Sequence, residues 1–134
     1  LRRDLFAARR RLMGAQAEIH YFHGVGDPYS HLAVQLLQPL QAAYPVRIVP
    51  HLVPPPPPEA APEAGLLEGW SLRDARRLAP MHGLSFPQAP RAPAPGAVAA
   101  AESQLAGLDD AAAFAERAVE LGEALWSGAP VSPG

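Results

Sequence analysis

An α/β fold with parallel strands is what this sequence predicts, and three observations carry the expectation. An apolar run from Ile19 to Val25 turns, through Gly26-Asp27-Pro28, directly into the helical spacing of Leu32, Ala33, Leu36 and Leu37. A second apolar run over 46–53 follows that helix, and two strands joined through a helix pair in parallel with a right-handed crossover. The remaining pattern is helical, most clearly at Phe114, Ala118, Leu121 and Leu125, which fall on one face.

The elements follow in order. Residues Leu1 to Met13 set Leu5, Leu12 and Met13 among Arg2, Arg3, Arg9, Arg10 and Arg11, an amphipathic helical pattern that Gly14 stops. This predicts a surface or lead-in helix. A strand is expected over 17–25 and a helix over 28–43, kinked by Pro39, which lacks the N–H of a helical hydrogen bond. The second strand carries Pro50, which suits an edge or an irregular point. Residues 54–58 are all proline and predict an extended polyproline connector. A helix over 71–81 is expected from Ser71-Leu72-Arg73-Asp74, which reads as a capping box, with Gly83 as its stop. After a Pro-rich loop over 88–96, helices over 97–106 and 109–126 complete the pattern. The organisation this gives is a lead-in (1–14), a strand-helix-strand unit (15–53), a connector (54–65), a helical region (66–126) and a tail (127–134).

Composition narrows the function classes. A chain of 134 residues suits one domain. The net charge of −2 is spread along the sequence and supplies no field that would favour nucleic acid or an anionic membrane. Eleven arginines and no lysine read as coding bias. The absence of cysteine removes thiol redox chemistry and Cys-ligated metals from this chain. No apolar stretch reaches the roughly 20 residues that span a bilayer and no secretory signal is visible, so a cytoplasmic location is the expectation.

The chemistry is expected at the strand-to-helix junction. A helix start presents unpaired N–H groups and the positive end of the macrodipole, where an anion is stabilised. Asp27 suits the N-cap and Pro28 the first helical position. Residues His20 to Ala33 resemble the first strand, active-site turn and first helix of the DsbA-like branch of the thioredoxin superfamily. There the turn reads Cys-Pro-x-Cys in disulfide oxidoreductases. In 2-hydroxychromene-2-carboxylate isomerases and kappa-class glutathione transferases it reads Ser-Pro-Tyr-Ser, and here it reads Asp27-Pro28-Tyr29-Ser30. The resemblance extends to 46–53 as the second strand, and to Ser71-Leu72-Arg73-Asp74-Ala75 with Gly83-Leu84-Ser85-Phe86-Pro87 as the inserted helical region, about two thirds of the chain in all.

That resemblance implies a thioredoxin-like, DsbA-type α/β fold with a helical insertion. The terminal strand pair, terminal helix and cis-proline loop of that fold find no counterpart here, which predicts a fragment or incomplete domain. It also implies a site formed by Asp27 and Ser30, with Tyr29 facing the ligand and His23 and His31 as polar substrate-binding residues. Glutathione, or a small aromatic carboxylate, is the ligand implied. Asp27 breaks the pattern, because a carboxylate can neither act as the thiolate nor donate a hydroxyl to glutathione's sulfur. Two unit charges about 4 Å apart repel by roughly 4 kcal/mol at an effective dielectric near 20, so the implied chemistry is a non-redox one. If the chain is an enzyme, a glutathione-dependent isomerase or transferase is the class expected. The alternative is a non-catalytic binding or scaffold domain that pairs with a second thioredoxin-like domain or a second copy.

His20, His23, His31 and His51 lie in or beside the two strands, but strand alternation puts His20 and His23 on opposite faces, and no metal site is expected.

Overall fold

A computed structural model describes residues 2–14 and 16–131. The expectations that fall on residue 1, residue 15 and the last three residues of the tail lie outside them. The chain runs α1 (Arg2–Leu12), β1 (Ala17–His23), α2 (Pro28–Val34), α3 (Leu37–Ala43), β2 (Val46–Leu52), a 3-10 turn (Pro58–Ala60), α4 (Ala64–Met81), α5 (Pro95–Leu105) and α6 (Ala111–Ser127). Among the described residues β1 and β2 form a two-stranded parallel sheet, with Ala17 opposite Val46 and His23 opposite Leu52. The architecture is thus mixed α/β. None of the described helices is long and apolar enough to cross a membrane.

Three departures from the sequence expectation have physical causes. The kinked helix expected over 28–43 is two helices, broken at Gln35 and Leu36. Pro39 stands in the first turn of α3, where a missing N–H costs nothing, and its ring excludes a helical carbonyl four residues earlier, at Gln35. The Gln35 side chain repairs the break: its amide donates to the carbonyls of His31 (3.0 Å) and Ser85 (2.9 Å), and its oxygen accepts from the Ser85 N–H (2.8 Å). Second, α4 starts at Ala64, and Ser71 is no cap. Ser71 is buried inside the helix and its hydroxyl donates to the Glu68 carbonyl at 2.9 Å, a backbone interaction that a Ser makes mid-helix as readily as it caps. Third, β1 stops at His23, because the chain turns at Gly24, whose carbonyl accepts from the Asp27 N–H at 3.0 Å.

The stop at Gly83 is as expected. With φ at +66°, Gly83 lets its N–H reach the Pro80 carbonyl (3.4 Å) while the Leu84 N–H reaches that of Ala79 (2.8 Å). These paired bonds are the Schellman closure of a helix. At the other end of the chain, Asp110 caps α6 by accepting from the Ala113 N–H at 2.8 Å.

The core lies between one face of the sheet and α6. Ile48, Val34 and Leu37 meet Phe114, Ala115, Ala118, Leu121 and Leu125, with Ala101 and Leu105 of α5 alongside. All four residues of the stripe read from the sequence are buried. A second cluster, Leu32 with Ala75 and Ala79, joins α2 to α4. Helix α2 is therefore held on two sides, by α4 and by α6. Its approach to α6 is close: a Cβ built on Gly122 would stand 2.1 Å from Nδ1 of His31. The other face of the sheet carries Glu18, His20, Phe22 and His51, and Phe22 is 60 % exposed. There, Glu18 pairs with Arg47, which holds its carboxyl below the usual range, and His51 stacks between His20 and Phe22.

The close approach yields a prediction. Gly122→Ala destabilises the protein by about 3 kcal/mol, because the added methyl displaces a buried ring in a packed core. Gly96→Ala, whose Cβ meets nothing within 4 Å, leaves the urea midpoint unchanged or raises it. Equilibrium urea denaturation of the two variants checks both.

Candidate functional site

The junction between β1 and α2 is built around Asp27. Its φ and ψ, −104° and 117°, are those of an N-cap, with Pro28 at the first helical position. One carboxylate oxygen accepts from the Tyr29 N–H at 3.1 Å, and the other accepts from the Ser30 N–H at 3.0 Å and the Ser30 hydroxyl at 2.8 Å. Ser30 Oγ in turn accepts from the Gly24 N–H at 3.2 Å, which ties the end of the strand to the first turn of the helix. Asp27 is thus engaged by three donors, and a carboxylate has about four acceptor positions.

Tyr29 reaches the opposite wall, where its hydroxyl donates to Asp74 Oδ2 at 2.7 Å. Partial burial, that hydrogen bond and the charges of Asp74 and Asp27 push the Tyr29 phenol up to about 12. Asp74, read from the sequence as part of a capping box, instead anchors this tyrosine.

Asp27, Tyr29 and Ser30 line a cleft of about 890 Å³, within the range of small-molecule sites. Its walls are the turn itself, the proline run (Pro54, Pro55, Pro56 and Pro58) and the face of α4 that carries Leu67, Glu68, Ser71 and Leu72. Val98, Glu102 and Trp126 close it from α5 and α6. The prolines, expected as a connector, also serve as a wall, and Pro57 keeps polyproline angles of −64° and 152°. Glu68 and Glu102 were not singled out by the sequence. Neither has a neighbouring motif that marks it, and they reach the cleft only through the packing of α4 on α2 and of α5 on α6.

His23 and His31, the polar site residues expected, are not in this lining. His23 is buried against Phe114, its Nδ1 2.8 Å from the Tyr21 hydroxyl, which donates to the Ser30 carbonyl at 3.0 Å. With its one proton directed to that carbonyl, Tyr21 accepts from His23, so Nδ1 carries the hydrogen of a neutral imidazole. His31 is 2 % exposed, packed on Gly122 and tilted against Phe86, and neither ring nitrogen has a partner. Burial lowers both imidazoles to about 4, with His31 adding to the effect at His23 and Asp27 opposing it. Burial, and then the charge of Asp27, raises the Tyr21 phenol. Tyr21 and His23 brace the turn from beneath. His20 and His51 are hydrogen-bonded to each other at 2.8 Å on the exposed face, and no group of three or more metal-ligating side chains assembles among the described residues.

The arrangement offers a preformed apolar cavity, a carboxylate held at its edge and a phenol fixed across it. It can bind and orient a small molecule, and it holds no nucleophilic thiol. The chain matches no known family model, no curated protein and no solved structure.

The buried imidazoles give the stability a pH dependence with a defined sign. Both have folded values near 4 against an unperturbed 6.5, so the unfolded chain binds more protons between those limits. Their contribution is complete above pH 6.5 and is lost as the pH falls toward 4, by up to roughly 3 kcal/mol per ring. Urea midpoints measured across that range should fall on acidification, and His31→Phe should remove about half of the fall. A flat profile would show that neither ring is buried neutral.

Proposed function

We propose that this chain is a non-redox, small-molecule-binding domain of the DsbA-like thioredoxin type, its ligand seated in the cleft beside the 27–30 turn. The observation that carries the reading is the Asp27 carboxylate. It occupies the first turn position, where the related proteins present sulfur or a hydroxyl, and it takes up the amides that would receive a ligand anion. Parallel strands joined through a broken helix, Asp-Pro-Tyr-Ser at the junction and inserted helices over the turn support the family assignment. Glutathione is disfavoured as the resident ligand by the repulsion between its thiolate and Asp27. A neutral or positively charged apolar molecule faces no such penalty.

A second reading draws on the open face of the sheet. Parallel sheets are ordinarily covered on both faces, and here Phe22 is 60 % exposed. On this reading the chain is a scaffold domain whose sheet is covered by a second thioredoxin-like domain or a second copy. Sedimentation equilibrium separates a monomer from a dimer that Val49→Glu, on the same face, would dissociate.

Two titrations test the first reading. Naphthylmethanol added to the full chain should shift the amide NMR signals of residues 24–27, Tyr29 and Ser30, and Gly65→Phe, which fills the cleft from an open position on α4, should abolish the shifts without lowering the urea midpoint appreciably. In calorimetry, glutathione should bind wild type weakly at neutral pH and bind Asp27→Ser at least about tenfold more tightly, since the roughly 4 kcal/mol repulsion is removed. Micromolar binding of glutathione by wild type would defeat the charge argument.

A further inference from the structure

The charges around the cleft all have one sign. Asp27 lies on the turn, Glu68 on α4 and Glu102 on α5, and no Arg, Lys or His occurs among the described residues that line it. Apart from Ser30 and Ser71, the rest of the lining side chains are apolar or aromatic, with Phe22 and Tyr29 beside Leu67, Leu72 and the proline wall. An anionic ligand entering this space would meet three carboxylates and no counter-charge. A neutral ligand would gain burial alone. A cation would gain burial, attraction to the carboxylates, and aromatic rings in the lining that can receive its charge. Asp27 has an acceptor position left after its three internal hydrogen bonds, so an ammonium N–H can be received there without breaking the cap.

We infer that the cleft selects an organic cation: an apolar, preferably aromatic body bearing one amine or ammonium group. The inference rests on the cleft's being the ligand site proposed above and adds the chemical class of the ligand. The apolar body lies along the proline wall and α4, and the cationic group lies toward the carboxylates. The same charges that exclude glutathione's thiolate attract this ligand.

Three aromatic ligands of nearly the same size, naphthylmethylammonium, naphthylmethanol and naphthoate, test it by NMR titration of the full chain. The ammonium should bind about tenfold more tightly than the alcohol, and the naphthoate more weakly than either. Adding salt should narrow the gap between ammonium and alcohol. In the double variant Glu68→Gln, Glu102→Gln, which leaves the Asp27 cap in place, the preference should shrink while the affinity for the alcohol is kept. Equal binding of ammonium and alcohol, or a preference for naphthoate, overturns the inference and leaves the cleft as a ligand site. Failure of all three to bind overturns the inference together with the site it rests on.

Discussion

The hydrogen bonds converging on the Asp27 carboxylate hold the junction from which the rest of the molecule is arranged. They satisfy two of the N–H groups that a helix start leaves without partners, and through Ser30 and Gly24 they lock the last turn of the strand to the first turn of the helix. An N-cap of this kind contributes about 0.5 to 2 kcal/mol. Its larger consequence is geometric. It aims α2 away from the end of β1, so that one side of α2 meets α6 and the other meets α4, and the space left over the turn becomes the cleft.

Holding α2 between two helices demands small residues and well-placed polar partners. Ala75 and Ala79 on α4 and Gly122 on α6 supply the room. His31 fills the space at Gly122 without a hydrogen bond, and its neutrality is the condition on which that packing rests. Gln35 closes the gap that Pro39 opens, by serving the carbonyls of His31 and Ser85 together. A helix of only seven residues is marginal by itself. Here it is stabilised by its cap, its break and the two clusters that flank it.

The cleft gains its chemistry from the same arrangement. Its stiff wall comes from a run of prolines whose rings fix φ, and its opposite wall from a helix tied to the turn by the Tyr29–Asp74 hydrogen bond. Apolar walls whose only charged side chains are carboxylates favour ligands with cationic groups. The turn itself contributes a fixed acceptor, the Asp27 carboxylate, at the edge of that space.

Much of this was legible in the residues alone. The strand-to-helix junction, the Asp27 cap, the parallel pairing, the Gly83 stop and the buried stripe of α6 each depend on local spacing and backbone preference, which a sequence carries in plain form. The true start of α4 was not legible, because a Ser hydroxyl bonds to backbone equally well at a helix start and inside a helix. Nor were the burial of His23 and His31 and the entry of Glu68 and Glu102 into the cleft. A side chain's surroundings are set by elements distant in sequence, and only the docking of α6 on β1 and α2, of α4 on α2 and of α5 on α6 brought those four residues to their places.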